Sequence, residues 1–595
     1  MIRIAIIDFG GQYTHLIARR IRSLGVYSQI YQPEDRIAAK EVAGIILSGG
    51  PRSVNAEDAL RTGIDFHNLK IPVLGICYGH QLLAVVFGGK VSSGSNKEYG
   101  MAEITCDPQF PFFQGLSPEQ QVWMSHGDHV LELPADFEKT ASSASVEIAA
   151  MQSGDGRIYG VQFHPEVTHT RAGMQMLDNF LRICQAERTW KPVNFKKTIL
   201  DRIRREAGNN KLILLLSGGV DSLVALELCI AALGNNRVFS IHVDTGFMRL
   251  NESKQVMAHL QELQYDNVRI IKAENLFLKE LGRVTDPEEK RLIIGKLFVD
   301  IVHEELKKLK FERNWLLVQG TIYPDTIESG FTAKAAKIKT HHNRVAEIEE
   351  LIAQGKVIEP IRELYKDEVR MLGEELGLPS NLVHRQPFPG PGLAIRLLAS
   401  QGISQDDFRK EQPLLLSMLS AHGFSGLILP VFSVGVQGDF RTYHHPAVIW
   451  SDEGIDVTWN LLHMISSKLI NNLESVNRVV YSLDQLQGEP QLISHYLTRQ
   501  NLELLRQVDA FFSKKTSHLT EIWQMPIVSL PFIDEAGKLI FILRPVRSLD
   551  AMTADVYEMD FSYLHQIIQQ VQGLPGVGRI FYDITTKPPG TIEWE

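Results

Sequence analysis

The hydrophobic positions of this chain fall into two rhythms that alternate. Short apolar runs at Ile2 to Asp8, Gly44 to Leu47 and Pro72 to Ile76 read as strands, and the three-to-four spacing from Tyr13 to Leu24 reads as a helix. That alternation predicts a mostly parallel sheet covered by helices over residues 1 to about 188. After a predicted linker, Trp190 to Phe195, and a helix, Lys196 to Glu206, the rhythm restarts. Leu212 to Leu216 is an unbroken apolar run, as expected of a strand buried on both faces, and Leu223, Leu226 and Leu228 open a helix. Val238 to Asp244 predicts the next strand, Asp286 to Leu309 a long helix, and Trp315 to Ser329 a third buried strand with a loop. The expected fold class is α/β: two doubly wound, mostly parallel-sheet domains over 1–188 and 189–395, then an α+β domain over 396–595.

Composition narrows the class. At 595 residues the chain is too long for one core. Its 44% hydrophobic and 22% charged residues are those of a soluble globular protein, and a net charge of -9 gives no general reason to expect nucleic acid as a partner. The four cysteines, Cys77, Cys106, Cys184 and Cys229, form no C-x-x-C pair, which argues against a disulfide framework or structural zinc and fits a reducing cytoplasm. The N-terminal stretch lacks the shape of a signal peptide and no apolar run approaches membrane-spanning length, so no membrane partner is expected.

Two stretches carry chemistry. In Ser217-Gly218-Gly219-Val220-Asp221-Ser222 the glycines let backbone N–H groups approach a bulky anion at the positive end of a helix. The loop is not a Walker A motif, so any lysine for phosphates must come from elsewhere. Asp244, about 20 residues further on, ends the next strand, either near a ribose or as the cap of a turn at Thr245-Gly246. The second stretch is Gly75-Ile76-Cys77-Tyr78-Gly79, the cysteine counterpart of a nucleophile elbow. A helix N-terminus lowers the thiol pKa, and downstream His164 and Glu166, two apart on a predicted strand, project from one face as base and orienting carboxylate.

Basic residues from Ala333 to Arg344 read either as a lid with Lys337 and Lys339 in reach of phosphates or as a solvated basic helix. Adjacent His341 and His342 lack metal-ligand spacing. The run from Arg385 to Arg396, with three prolines, must be a rigid loop. At the far end, Pro588-Pro589, Ile592 and Trp594 suggest a docked tail.

Residues 1 to 188 resemble the class I glutamine amidotransferases. The resemblance implies that Cys77, His164 and Glu166 hydrolyse the glutamine side-chain amide through a thioester. It also implies that the N–H groups of Gly50, in Ser48 to Pro51, and Tyr78 face the oxyanion, and that Gln81 touches glutamine. The SGGVDS loop resembles that of enzymes that split ATP between its α- and β-phosphates; this implies ATP on Ser217 to Ser222 and magnesium held by Asp221.

With QGT and YPD after Val318, KDEVR at Lys366 to Arg370 and PFPGPGLA at Pro387 to Ala394 following in order, the chain resembles the glutamine-hydrolysing GMP synthase family. That implies conversion of xanthosine monophosphate (XMP) to GMP, with Lys366 on phosphate and with Arg291, Asp439, Gln524, Lys587 and Glu593 on XMP. The loop alone leaves open another glutamine-fed ATP pyrophosphatase with a different acceptor. The chain departs from the shorter pattern of the family by extra sequence at Ser404 to Phe432 and Leu483 to Asp509, an extended insertion in the third domain. This leaves monomer and homodimer both open. Gln386 and Ala551 also depart from the family pattern, which calls for histidine and phenylalanine there.

Overall fold

The computed structural model describes residues 2–11, 13–262, 264–308, 314–328, 354–404, 408–437, 440–548, 554–587 and 589–595. The Ala333 to Arg344 stretch, with Lys337, Lys339, His341 and His342, and also Asp439, Ala551 and Pro588 lie outside the described residues. The chain divides into two compact units, Met1–Phe195 and Lys196–Glu595.

The first unit runs β1 (Arg3–Ile7), α1 (Thr14–Ser23), β2 (Ser28–Tyr31), β3 (Val42–Leu47), β4 (Val73–Ile76), α2 (Tyr78–Val86), β5 (Lys90–Cys106), β6 (Glu119–Glu132), β7 (Phe137–Ser143), β8 (Ala150–Ser153), β9 (Ile158–Val161) and α3 (Gly173–Ile183). One sheet holds all nine strands in the order β2-β1-β3-β4-β9-β8-β7-β5-β6. The first five are parallel and the last four extend the sheet antiparallel. Every residue of β4 and β9 is buried, which is why these strands read as continuous apolar runs. Their pairing sets the ends of two segments distant in sequence side by side: the N–H of Cys77 donates to the carbonyl of Val161 at 2.8 Å.

The predicted linker is shorter than the sequence suggested. The helix α4 (Pro192–Ala207) starts four residues early, with proline in the first turn where its missing N–H costs nothing. Trp190 and Phe195 are buried and their rings pack with Tyr27.

The second unit continues with β10 (Lys211–Leu215), α5 (Val220–Leu233), β11 (Val238–Asp244), α6 (Glu252–Glu262), β12 (Val268–Lys272), α7 (Glu274–Leu281), α8 (Pro287–Lys308), β13 (Trp315–Val318), α9 (Tyr323–Glu328) and β14 (Val357–Ile358). These strands form a parallel sheet in the order β12-β11-β10-β13-β14. The chain leaves β10 towards β11 on one side and returns to β13 on the other, so the crevice beyond the end of β10 is the switch point where doubly wound sheets bind ligands. The stretch after β13, expected as loop, includes the short helix α9.

Beyond residue 395 the chain builds a second, mixed eight-stranded sheet. A single apolar core joins the two sheets of this unit: Ile213, Ile241 and Leu317 belong to the same cluster as Leu462, Leu505 and Tyr582. The other face of the mixed sheet buries Trp594 completely, alongside Val480, Ile542 and Phe581. The tail is thus docked, as its stiff and apolar residues suggested. Three fully buried arginines hold it. Arg478 and Arg544 both pair with Asp583, Arg478 and Arg544 also donate to the carbonyls of Thr591 and Ile592, and Arg396 grips Glu593 with two bonds of 2.8 and 3.0 Å. Such pairing is the condition under which a charge can be buried.

Candidate functional site

In the first unit Cys77 sits between the end of β4 and the start of α2 with φ 50° and ψ −101°. A side chain rarely takes this conformation, and the packing that enforces it is visible. A Cβ on Gly75 would lie 2.5 Å from the backbone of Gly79, and one on Gly79 would lie 2.5 Å from the carbonyl of Leu47. The tight bend lifts Sγ off the helix axis and places it at the N-terminus of α2, whose dipole favours an anion.

His164 and Glu166 do not lie on a strand. β9 ends at Val161, and the bend that follows holds Pro165, which has no N–H to continue a ladder. The pairing survives the correction, because the turn folds the two side chains together: His164 Nδ1 is 2.7 Å from Glu166 Oε1, and both residues are buried. This leaves Nε2 for the thiol. Burial opposes charge on His164, but Glu166 and the hydrogen bond with Cys77 outweigh it and raise the pKa to about 10. His126, in the nearby Ser125 to Asp128 stretch, is instead pushed down to about 4 by burial. The two histidines are therefore electrostatically distinct, and of the two His164 is the one whose surroundings favour the imidazolium.

Around this pair, a Cβ on Gly49 would come within 3.2 Å of His164 Cε1 and 3.8 Å of Cys77 Cβ. Gly50 lies against Phe9 and the ring of Tyr78. The N–H of Gly79 donates to the carbonyl of Ser48, tying this glycine loop to the elbow. Gln81 donates to the carbonyl of Asp128 at 2.7 Å and lies 3.3 Å from the side chain of Gln162. Sequence reasoning missed Gln162, whose Nε2 lies 3.7 Å from Cys77 Sγ. It follows β9 directly, and the same rule that singled out strand ends would have found it.

In the second unit the loop from Ser217 to Ser222 joins β10 to α5. Gly218 has φ +83°, Gly219 precedes the helix, and the hydroxyls of Ser217 and Ser222 lie 3.2 Å apart while that of Ser222 donates to the carbonyl of Gly219. Val220 is buried beneath the loop. Asp221, in the first turn, pairs with Lys366, the residue that the resemblance assigns to phosphate. Its other oxygen, Oδ1, is buried with no hydrogen-bond partner among the described residues. No group of three or more metal-ligating side chains occurs among the described residues. A lone carboxylate oxygen beside this glycine loop fits magnesium, which takes one or two carboxylates together with substrate phosphates. Asp244 caps the Thr245-Gly246 turn, accepting from the N–H of Gly246 at 3.2 Å.

Of the remaining predicted contacts, Gln524 donates to Glu593 at 2.9 Å, and Arg291 donates to the carbonyl of Glu595 beside a buried Lys290–Glu595 ion pair. Lys587 is placed by main-chain bonds to Ala554. Arg385, also missed, donates to the carbonyl of Gly218 at 3.5 Å and pairs with Glu252 at 2.8 Å.

Three family models match in this order: glutamine amidotransferase class-I over residues 5–184, NAD synthase over 193–290, and the GMP synthase C terminal domain over 421–486 and 515–594. The probable GMP synthase [glutamine-hydrolyzing] of Leptospira interrogans is 43% identical over 607 aligned residues, covering 100% of this chain and 99% of its own. The GMP synthase [glutamine-hydrolyzing] of Vibrio parahaemolyticus is 43% identical over 82% of this chain and 97% of its own. Among solved structures, a glutamine amidotransferase of Thermotoga maritima covers 31% of this chain and 99% of its own, at 20% identity and a TM-score of 0.26. An end-to-end relative, together with family models falling in turn on the cysteine elbow, the glycine loop and the docked tail, makes this chain a member of the glutamine-hydrolysing GMP synthase family.

Proposed function

We propose that the chain converts XMP to GMP with glutamine as nitrogen donor and ATP as co-substrate. At the first site His164 takes the proton of Cys77, and the thiolate attacks the glutamine amide. The N–H groups of Gly50 and Tyr78 face the oxyanion, and His164 returns its proton to the departing ammonia. Glu166 holds the imidazole in the required orientation. Water then releases glutamate from the thioester.

At the second site the backbone of Ser217 to Ser222 cradles ATP, Lys366 meets phosphate, and Asp244 lies on the ribose side. The XMP C2 oxygen attacks the α-phosphorus and pyrophosphate leaves. An amide-like oxygen is a poor leaving group until adenylylated; ammonia then adds at C2 and AMP departs. Asp221 would hold magnesium, which would supply charge neutralisation on the pyrophosphate. Arg291, Gln524, Lys587 and Glu593 are the proposed XMP contacts, and Asp439 joins them from outside the described residues. Glutamine, ATP and XMP are the proposed partners, in the cytoplasm, with the chain acting as monomer or homodimer. No helix among the described residues is long and apolar enough to cross a membrane.

The observation that carries this reading is the coexistence in one chain of a cysteine elbow hydrogen-bonded to His164 and a glycine-lined loop whose aspartate meets a distant lysine. It is tested by Cys77→Ala, which should abolish GMP formation from glutamine and preserve formation from added ammonium. Loss of both would refute the division of labour.

A further inference from the structure

All but the last residue of the helix Arg499–Lys515 lies in the part of the chain, 487–514, that the C-terminal family model skips. It is nonetheless built into the second unit. Thr498 caps it by accepting from the N–H of Asn501, and Leu502, Leu505, Val508 and Phe512 are buried in the shared core. Its polar face does something more specific. Arg506 donates to the carbonyls of Gly246 and Met248, and Arg499 pairs with Glu274, whose side chain would lie 2.4 Å from a Cβ on Gly246. The turn after β11 is therefore gripped by this helix. Asp509, 3% exposed, stands 3.8 Å from Arg249 and 3.6 Å from Arg396.

The contacts continue without a break. Arg249 donates to the carbonyls of Gln386 and Pro387 and stacks on Phe388, while its own N–H is taken by Glu252. Glu252 also pairs with Arg385, and Arg385 reaches the carbonyl of Gly218 in the glycine loop. The proline-rich loop is pinned to the same turn, since a Cβ on Gly392 would sit 2.3 Å from the carbonyl of Phe247.

We propose that the Arg499–Lys515 helix is a positioning element for the ATP loop, with Arg506 and Asp509 fixing the 245–249 turn and, through Arg249 and Arg385, the backbone of Gly218. The inference rests on the assignment of ATP to Ser217 to Ser222.

The test is steady-state kinetics with ammonium as nitrogen donor, so that Cys77 plays no part. Arg506→Ala should raise the KM for ATP about tenfold, leaving glutaminase turnover unchanged. Arg506→Lys, which keeps a charge facing the carbonyls, should recover part of the loss, and Asp509→Asn should shift the same constant in the same direction. A parental KM for ATP in Arg506→Ala would overturn the proposal, whatever its melting temperature. Asp221→Asn, assayed in parallel, separates the two readings. If it abolishes AMP release while Arg506→Ala keeps the parental KM, the helix assignment alone fails; if Asp221→Asn keeps parental ATP use, the site assignment fails and takes the proposal with it.

Discussion

The ammonium of Lys366 reaches the carboxylate of Asp221, 145 residues earlier in the chain, at the mouth of the glycine loop. On the proposed reading Lys366 would exchange this carboxylate for phosphate oxygens when ATP binds, leaving Asp221 to a cation. Replacing Lys366 by methionine should therefore lower kcat/KM for ATP by about a hundredfold, the loss typical of one preorganised charge on a developing anion. Glutaminase turnover at Cys77 should be unaffected. Both are read from AMP and glutamate release in the same preparation.

The protonation of His164 gives a prediction with a definite sign. Its pKa is raised from 6.5 to about 10, against the pull of burial, by Glu166 and Cys77. A raised value means that the charged form is favoured in the folded chain. Its contribution to stability is fully present below about 6.5 and is lost as pH rises through about 10. Glutaminase activity should likewise persist through neutral pH and fall on an alkaline limb. In Glu166→Gln that limb should move towards neutrality and the rate should drop at least about a hundredfold. A pH–rate profile of glutamate release, in parent and variant, checks both.

The strands and the two chemical loops were legible in the sequence because their signals are local. Leu212 to Leu216 is apolar without interruption, and glycines bracket Cys77. What was not legible depends on partners far along the chain. That β4 pairs with β9, carrying His164 to Cys77, follows from sheet order, which no run of residues spells out. The end of β9 was hidden because the apolar pattern runs on into Phe163 while the ladder stops at Val161. No local pattern marks Arg396, Arg478 and Arg544 for burial, because only the folded tail supplies Glu593 and Asp583 to bury them against. The core shared across the expected boundary near residue 395 is equally non-local.

Asp583 is the keystone of that tail. It accepts from Trp594 Nε1 at 2.9 Å and pairs with Arg544 at 2.8 Å and Arg478 at 3.1 Å, all four groups being shielded from solvent. Burial and the neighbouring Arg544 pull the pKa of Arg478 down to about 9, and Asp583 works against both. Asp583→Ala would leave two buried guanidinium groups uncompensated and should destabilise the second unit by about 3–5 kcal/mol. Urea unfolding followed by tryptophan fluorescence measures this, and glutamate release reports whether the first unit is intact.

The central claim is that one chain couples glutamine hydrolysis to adenylylation of a purine. It is met most directly by incubating the purified protein with XMP, ATP and amide-labelled glutamine, then measuring AMP and labelled GMP together. The account predicts equal amounts of the two, with the label in the GMP amino group. AMP without GMP, ADP in place of AMP, or GMP lacking the label would contradict it.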